Sequence, residues 1–176
     1  MLFRSDGSSY IDWKVSTLND MFNFQYGKYN TNPDNGGIYP IYGANGIIGG
    51  FNEYNSENSI VIGHIGTAGT VTWVNGKHFV TYNGTITTSK CLNKLNLKFG
   101  YYLLLSLHIE KICNGSSQPF LSYDKLNKIK CELPCLEEQK KIADLLSSFD
   151  EAINAAKEEL ETWKNIKKGL LQQMFE

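Results

Sequence analysis

The chain has 176 residues, of which 41% are hydrophobic and 20% charged. That balance and length suit one globular domain with a core, plus an extension. Seventeen Lys/Arg against eighteen Asp/Glu leave a formal charge of −1, which excludes the basic tail or strongly basic domain that by itself announces a nucleic-acid partner.

The opening "MLFRSDGSSY" has no apolar segment of the signal-peptide kind. In "VSTLNDMF", Ser16 or Thr17 is placed to cap a short helix with Leu18, Met21 and Phe22 on one side. From Ile38 to Lys90 the chain reads as β-rich: "SIVIGHIG", "GTVTWV", "HFVTY" and "GTITTSK" are short β-branched and aromatic runs punctuated by Gly, Asn and Ser. "VNGK" (Val74 to Lys77) carries Asn-Gly, which predicts a type I′ hairpin turn. "LKFGYYLLLSLHIEKI" predicts a helix with an apolar face of Phe99, Tyr102, Leu103, Leu107 and Ile109. Its apolar stretch is far too short to span a bilayer. After the loop "NGSSQPF", Ser122 is expected to cap one helical turn, followed by a strand from about Lys128 to Leu133.

The last forty residues differ in kind. "LEEQKKIADLLSSFDEAINAAKEELETWKNIKKGLLQQMF" has no Pro, and no Gly before Gly169. At about 1.5 Å per residue it makes a rod near 60 Å long. Apolar residues fall at Ile142, Leu146, Phe149, Ile153, Ala156, Leu160 and Trp163, in alternating steps of four and three. This 3.5-residue repeat marks a coiled-coil seam. Lys167 interrupts it, and Leu170 and Met174 resume it. Glu137 and Glu138 in the first turn, and Lys167 and Lys168 near the end, suit the helix dipole. A domain of about 134 residues is only about 30 Å across, so a helix of this length would leave about half its stripe wet. The stripe therefore calls for another helix. The expected architecture is α+β: a β-rich domain over 1–134 and a long helix over 135–176. Residues 1–134 hold 11 Lys/Arg and 9 Asp/Glu (+2); residues 135–176 hold 6 and 9 (−3).

Motifs of catalysis are missing. No N/D-P-P-Y/F element follows a cofactor loop, "NPDN" at Asn32 to Asn35 is not one, and no phosphate-binding G-x-x-x-x-G-K-S/T occurs. His64, His78 and His108 have no metal-site spacing, and Cys91, Cys113, Cys131 and Cys135 form no C-x-x-C pair. Small, buried, reduced thiols in a cytoplasmic protein, with no metal and no cofactor of its own, are the expectation.

In order along the chain, "LFRSDGSSYIDWKVSTLNDMF", "YPIYGANGIIGGFNEY", "SIVIGHIGTAGTVTW", "VTYNGTI", "GSSQPFLSYDKLNKIKCELPCLEEQKKIADLLSSFDEAI" and "KKGLLQQMF" resemble the specificity (S) subunits of type I restriction–modification systems. The most specific part is G-x-x-Q-P-x-L-S, a strand, a Pro, and a helix opening with E-E-Q-x-x-I. The resemblance implies a target recognition domain followed by a conserved helix, in a subunit that chooses the double-stranded DNA sequence and does no chemistry. Modification subunits would supply S-adenosylmethionine and adenine methylation. Restriction subunits would supply the ATP-driven, Mg-dependent motor and nuclease. The family usually carries two recognition domains and two helices; here there is one of each. Two chains paired antiparallel through Ile142, Leu146, Phe149, Ile153, Ala156, Leu160 and Trp163 would restore the arrangement with an isologous two-fold interface. The alternative is a regulatory module that occupies modification subunits without productive targeting.

Reading DNA requires donors for phosphates and amide or cationic groups for base edges. "YGKYNTNPDNGG" offers Lys28, Asn30, Thr31 and Asn32 as a recognition loop, although Asn and Gly there also shape turns. The "GTAG" turn with Thr67 could turn backbone N–H groups to a phosphate, or simply join two strands. Lys77 and His78, next to Asn75-Gly76, are expected to be exposed candidates for phosphate or base contact. Ser116, Ser117 and Gln118 make a polar loop in which Gln118 either meets DNA or satisfies buried backbone. Trp13, Trp73 and most Tyr residues read as core.

Overall fold

The computed structural model describes residues 13–113 and 119–175. Contacts divide the chain into two units, Met1–Lys140 and Lys141–Glu176.

Among the described residues, the first unit is built on a six-stranded sheet of β2 (Phe22–Tyr26), β3 (Tyr39–Gly43), β4 (Gly46–Phe51), β5 (Ser56–Gly63), β6 (Val71–Val80) and β7 (Gly84–Ser89), in the order β2-β7-β5-β6-β3-β4. All neighbours are antiparallel except β3 and β6, which run parallel through Ile41↔Phe79 and Tyr42↔Val80. The centre of the sheet explains the run "SIVIG": Ser59, Ile60, Val61 and Ile62 are all buried, so the strand has no wet face to alternate with. Val61, Val74, Val80 and Ile86 cluster there, with Tyr42 packed against them.

Asn75-Gly76 is not a hairpin turn. β6 runs through it unbroken, absorbing "TWV" and "HFV" into one strand. Opposite it, β5 contributes Asn58 alone between the pairs Glu57↔Lys77 and Ser59↔Val74, so two residues face one. This is a β-bulge. Gly76 takes the left-handed φ of 71° and donates its N–H to the Asn58 side chain at 2.8 Å. Asn-Gly suits both a type I′ turn and a bulge with left-handed Gly, and here the partner strand decides.

A second sheet pairs β1 (Lys14–Thr17) with β8 (Lys130–Leu133), antiparallel. β1 is invisible in the sequence, because its partner lies over a hundred residues away. α1 (Leu18–Met21) follows from Thr17, which closes a capping box with Asp20 and buries Leu18 and Met21. α2 (Leu97–Ser106) is capped by Asn96 and buries Phe99, Gly100 and Leu104. Its buried face is therefore shifted from the expected Tyr102, Leu103 and Leu107, which are only partly covered. The helix ends early because the chain turns at His108 (φ 48°) into a 3-10 turn, Ile109–Ile112. α3 (Tyr123–Lys128) precedes β8 as expected; Ser122 holds the N-cap position, but its side chain makes no capping hydrogen bond.

α4 spans Leu136–Phe175, forty residues, matching the uninterrupted pattern. Its first turn belongs to the sheet-bearing unit. Gln139 is fully buried; its Oε1 accepts the Asn96 N–H at 2.9 Å, and its Nε2 donates to the Lys94 and Pro134 carbonyls, each at 2.9 Å. Glu138 accepts the Trp13 indole N–H at 3.2 Å. These bonds give the E-E-Q opening a physical reason, and they carry the first unit to Lys140 rather than to Pro134. No helix among the described residues is long and apolar enough to cross a membrane.

Candidate nucleic-acid interface

The end of β2 passes directly into the segment expected to read DNA. Gly27 donates to the Gly84 carbonyl and Lys28 to the Val80 carbonyl, both at 2.9 Å, and Tyr82 donates to the Tyr29 carbonyl at 3.1 Å. The chain is thus pinned against the turn that joins β6 to β7. Tyr29 has a left-handed φ of 63°, uncommon without glycine. Its ring stacks on Phe79 at 5.5 Å and meets Phe51 edge-on at 6.5 Å, yet half of it stays exposed. Lys28, Asn30 and Thr31 are exposed.

Beyond Thr31 the loop lies along β4, one of the two edge strands. The Asn32 side chain donates to the Ile48 carbonyl at 2.9 Å and accepts the Asp34 N–H at 3.2 Å. Both of its polar ends are committed within the protein, so it acts as a staple as well as a surface residue. Asp34 accepts the N–H groups of Gly36 and Gly50 at 3.1 and 2.9 Å. Those two bonds, Gly50 first, hold its carboxyl below the usual range. Asn35 N–H donates to the Gly50 carbonyl at 3.0 Å.

Thr67 is exposed in the link between β5 and β6. Gly66 and Gly69 have φ of 89° and 87°, and Gly69 donates to the Gly63 carbonyl at 2.9 Å, closing a tight turn. Thr70 ties that turn to the Ala44 carbonyl between β3 and β4. His64 N–H bonds the Asn83 carbonyl at 2.7 Å. One end of the sheet therefore gathers the β2 extension, the β3–β4 and β6–β7 turns, and the Thr67 turn.

Lys77 and His78 separate from each other. Lys77 is exposed, with its ammonium 4.6 Å over the Tyr54 ring; the Tyr54 side chain favours the cation and raises its pKa. The expected exposure of His78 does not hold. It is completely buried. β6 is covered on both faces from His78 to Val80, and there the His78 Nδ1 donates to the Gly76 carbonyl and Nε2 accepts from Ser59, both at 2.9 Å. Burial pushes its pKa down, so the imidazole is neutral. Ser117 and Gln118, with Ser116, lie outside the described residues.

An aromatic cluster backs this region: Tyr26 lies 3.9 Å from both His64 and Tyr123, and Tyr82 lies 5.5 Å from Tyr26. His64 Nδ1 donates to the Leu121 carbonyl at 2.7 Å, and burial lowers its pKa. Burial raises the pKa values of Tyr26 and Tyr123. These rings hold the β2 end and α3 together; the sequence offered them only as generic core. Among the described residues no group of three or more His, Cys, Asp or Glu could hold a metal ion. The four cysteines are free but not buried as expected: Cys91, Cys113 and Cys131 are half-buried and Cys135, next to Pro134 just before α4, is exposed.

In the second unit the seam of α4 is laid bare. Phe149, Ile153, Leu160 and Trp163 are 58%, 51%, 54% and 60% exposed, far beyond what such side chains show in a core. Ala156 is exposed too, while Ile142 and Leu146 are half-buried. Leu170 and Met174, past Lys167, are likewise exposed.

Residues 10–162 match the type I restriction modification DNA specificity domain, and the chain belongs to that family. It is similar to the type I restriction enzyme EcoprrI specificity subunit of Escherichia coli, 28% identical over 123 residues, which covers 69% of this chain and 30% of that protein. With the MjaVIII specificity subunit of Methanocaldococcus jannaschii it shares 27% identity over 184 residues, 93% of this chain and 42% of that one. The crystal structure of the type I restriction-modification S subunit from M. genitalium has the same fold, with a TM-score of 0.73 at 24% identity over 82% of this chain and 40% of that one. The chain thus spans 30 to 42% of the length of these relatives.

Proposed function

We propose that the chain is a DNA-recognition (specificity) subunit of a type I restriction–modification system, without catalytic activity of its own. It directs adenine methyltransferase and restriction subunits to a bipartite target. The family match over residues 10–162 carries this reading. S-adenosylmethionine, ATP and Mg belong to the partner subunits. Lys28, Asn30, Thr31 and Thr67 are the proposed DNA-facing group on the described surface, with Lys77 as a phosphate contact and Asn32 at the base of the loop. Ser117 and Gln118 complete the proposed set.

A near-neutral chain has few cations to release counterions from DNA. Alone it binds weakly, and modification subunits supply most of the affinity. The exposed seam of α4 supports homodimerisation. Two recognition units related by a two-fold axis read inverted half-sites, so the target is a bipartite palindrome.

The test is co-expression with a modification subunit, followed by mapping of methylated adenines. Methylation at one bipartite palindrome supports the proposal. A stable complex that methylates no specific site favours the regulatory alternative, and methyl transfer or cleavage by the chain alone overturns the non-catalytic assignment.

A further inference from the structure

Two residues of the "YNTNPDNGG" segment stand apart from their neighbours. Asn30 and Thr31 are exposed, and their side chains have no partner among the described residues. On both sides of them the chain is fixed. Before them, the Tyr29 carbonyl accepts the Tyr82 N–H, and the Tyr29 ring stacks on Phe79. After them, Asn32 and Asp34 bind β4 through the Ile48 carbonyl and the Gly50 N–H. The approach is close enough that β4 must carry glycine. A Cβ on Gly49 would lie 2.4 Å from the Asp34 carboxyl carbon, and one on Gly50 would lie 2.3 Å from the Gly37 carbonyl oxygen.

An acidic residue is out of place on a surface meant for phosphates, yet Asp34 sits inside the candidate loop. Its carboxylate is turned to backbone N–H groups, and they satisfy it. The anion thus serves the loop's geometry. Side-chain amides and hydroxyls discriminate bases only when held rigidly, since a mobile donor adapts to the wrong edge. Left-handed backbone at a non-glycine residue, as at Tyr29, is the kind of local strain that accumulates at binding sites.

We infer that Asp34 and Asn32 are positioning residues that clamp the loop to β4, so that Asn30 and Thr31 form a rigid two-residue reading head for base edges. This inference rests on the DNA-recognition reading. It reassigns Asn32 from reader to clamp and adds Asp34, which no sequence pattern singled out.

The experiment uses the full chain co-expressed with its modification subunit, with methylated adenines mapped across a genome. D34A is expected to lower the ratio of cognate to off-target methylation about tenfold or more, while the complex still assembles and its melting temperature changes little. D34N, which keeps an oxygen acceptor for both N–H groups, is expected to restore most of that selectivity. N30A is expected to relax discrimination at particular base pairs within each half-site and to leave the others unchanged. D34N as promiscuous as D34A overturns the clamp, as does a loss of selectivity no greater than the loss of folded protein. Unchanged target patterns in N30A and T31A overturn the reading head. If the unsubstituted chain directs no site-specific methylation, the underlying recognition proposal fails, and this inference falls with it.

Discussion

The sheet-bearing unit and the distal helix treat the same residue types in opposite ways. In the first, Ile60, Ile62 and Leu104 are fully buried, and the polar Ser59, His78 and Gln139 are buried with hydrogen bonds. In the second, Phe149, Ile153, Leu160 and Trp163 repeat at heptad spacing and stand more than half exposed. The first unit satisfies its side chains internally. The second carries an apolar stripe whose burial is left to something else, as expected of an interface. The difference separates residues that hold the fold from residues left for the proposed assembly.

Replacing both Leu146 and Phe149 with Asp is the largest break in that contrast. Four carboxylates would enter the seam of the proposed dimer without partners, and its dissociation constant should rise by about a thousandfold or more. Sedimentation checks the dimer, and the melting of the sheet-bearing unit should barely move. A dimer that survives shows the seam to be elsewhere. Gln139→Leu tests the other side. It strips a buried N–H and two carbonyls of their partners at nearly constant volume and should cost on the order of 3 kcal/mol by urea unfolding. Thr17→Ala removes one half of the capping box on α1 and should cost about 1 kcal/mol.

A graded effect comes from pH. Burial holds His64 and His78 below their ordinary value of 6.5. As pH falls through that value the unfolded chain takes up protons that the folded chain refuses. Stability is therefore complete above about pH 6.5 and declines below it, until the folded-state values are reached. Urea midpoints at about pH 7.5 and about pH 5.5 measure this, and His78→Asn should flatten the slope. The smallest effect belongs to Lys164→Ala. Its 2.6 Å pair with Glu161 is exposed on α4, and losing it should change stability by less than about 0.5 kcal/mol.

What could be read in advance followed the range of the interactions. α4 was legible because its repeat and its lack of breakers are local. The cap of α1 was legible, as Ser16 or Thr17, because capping acts over three residues. Asn75-Gly76 was misleading because left-handed glycine serves turns and bulges alike, and the choice belonged to Asn58 on another strand. That one error carried His78 with it: without a turn at Asn75-Gly76, His78 lies within a strand whose successive residues His78, Phe79 and Val80 are all buried. β1 escaped notice because four residues of no marked pattern pair with β8 at the far end of the unit. In the candidate site, the Asn-rich loop was visible, but the bonds that tie Asn32 and Asp34 to β4 were not, because their partners Ile48 and Gly50 lie sixteen residues on. Nothing local distinguishes an Asn that clamps from an Asn that reads.

The pairing of β1 with β8 also orders events during synthesis. β1 cannot find its partner until Leu133 has been made, when the Pro134–Cys135 link and α4 are still to come. Closure of that pair is a non-local step, the kind that slows folding. But the exposed seam is made later still. Every described strand of the two sheets is therefore made before the apolar stripe of α4, so that the sheets can close before a proposed helix partner has anything to bind.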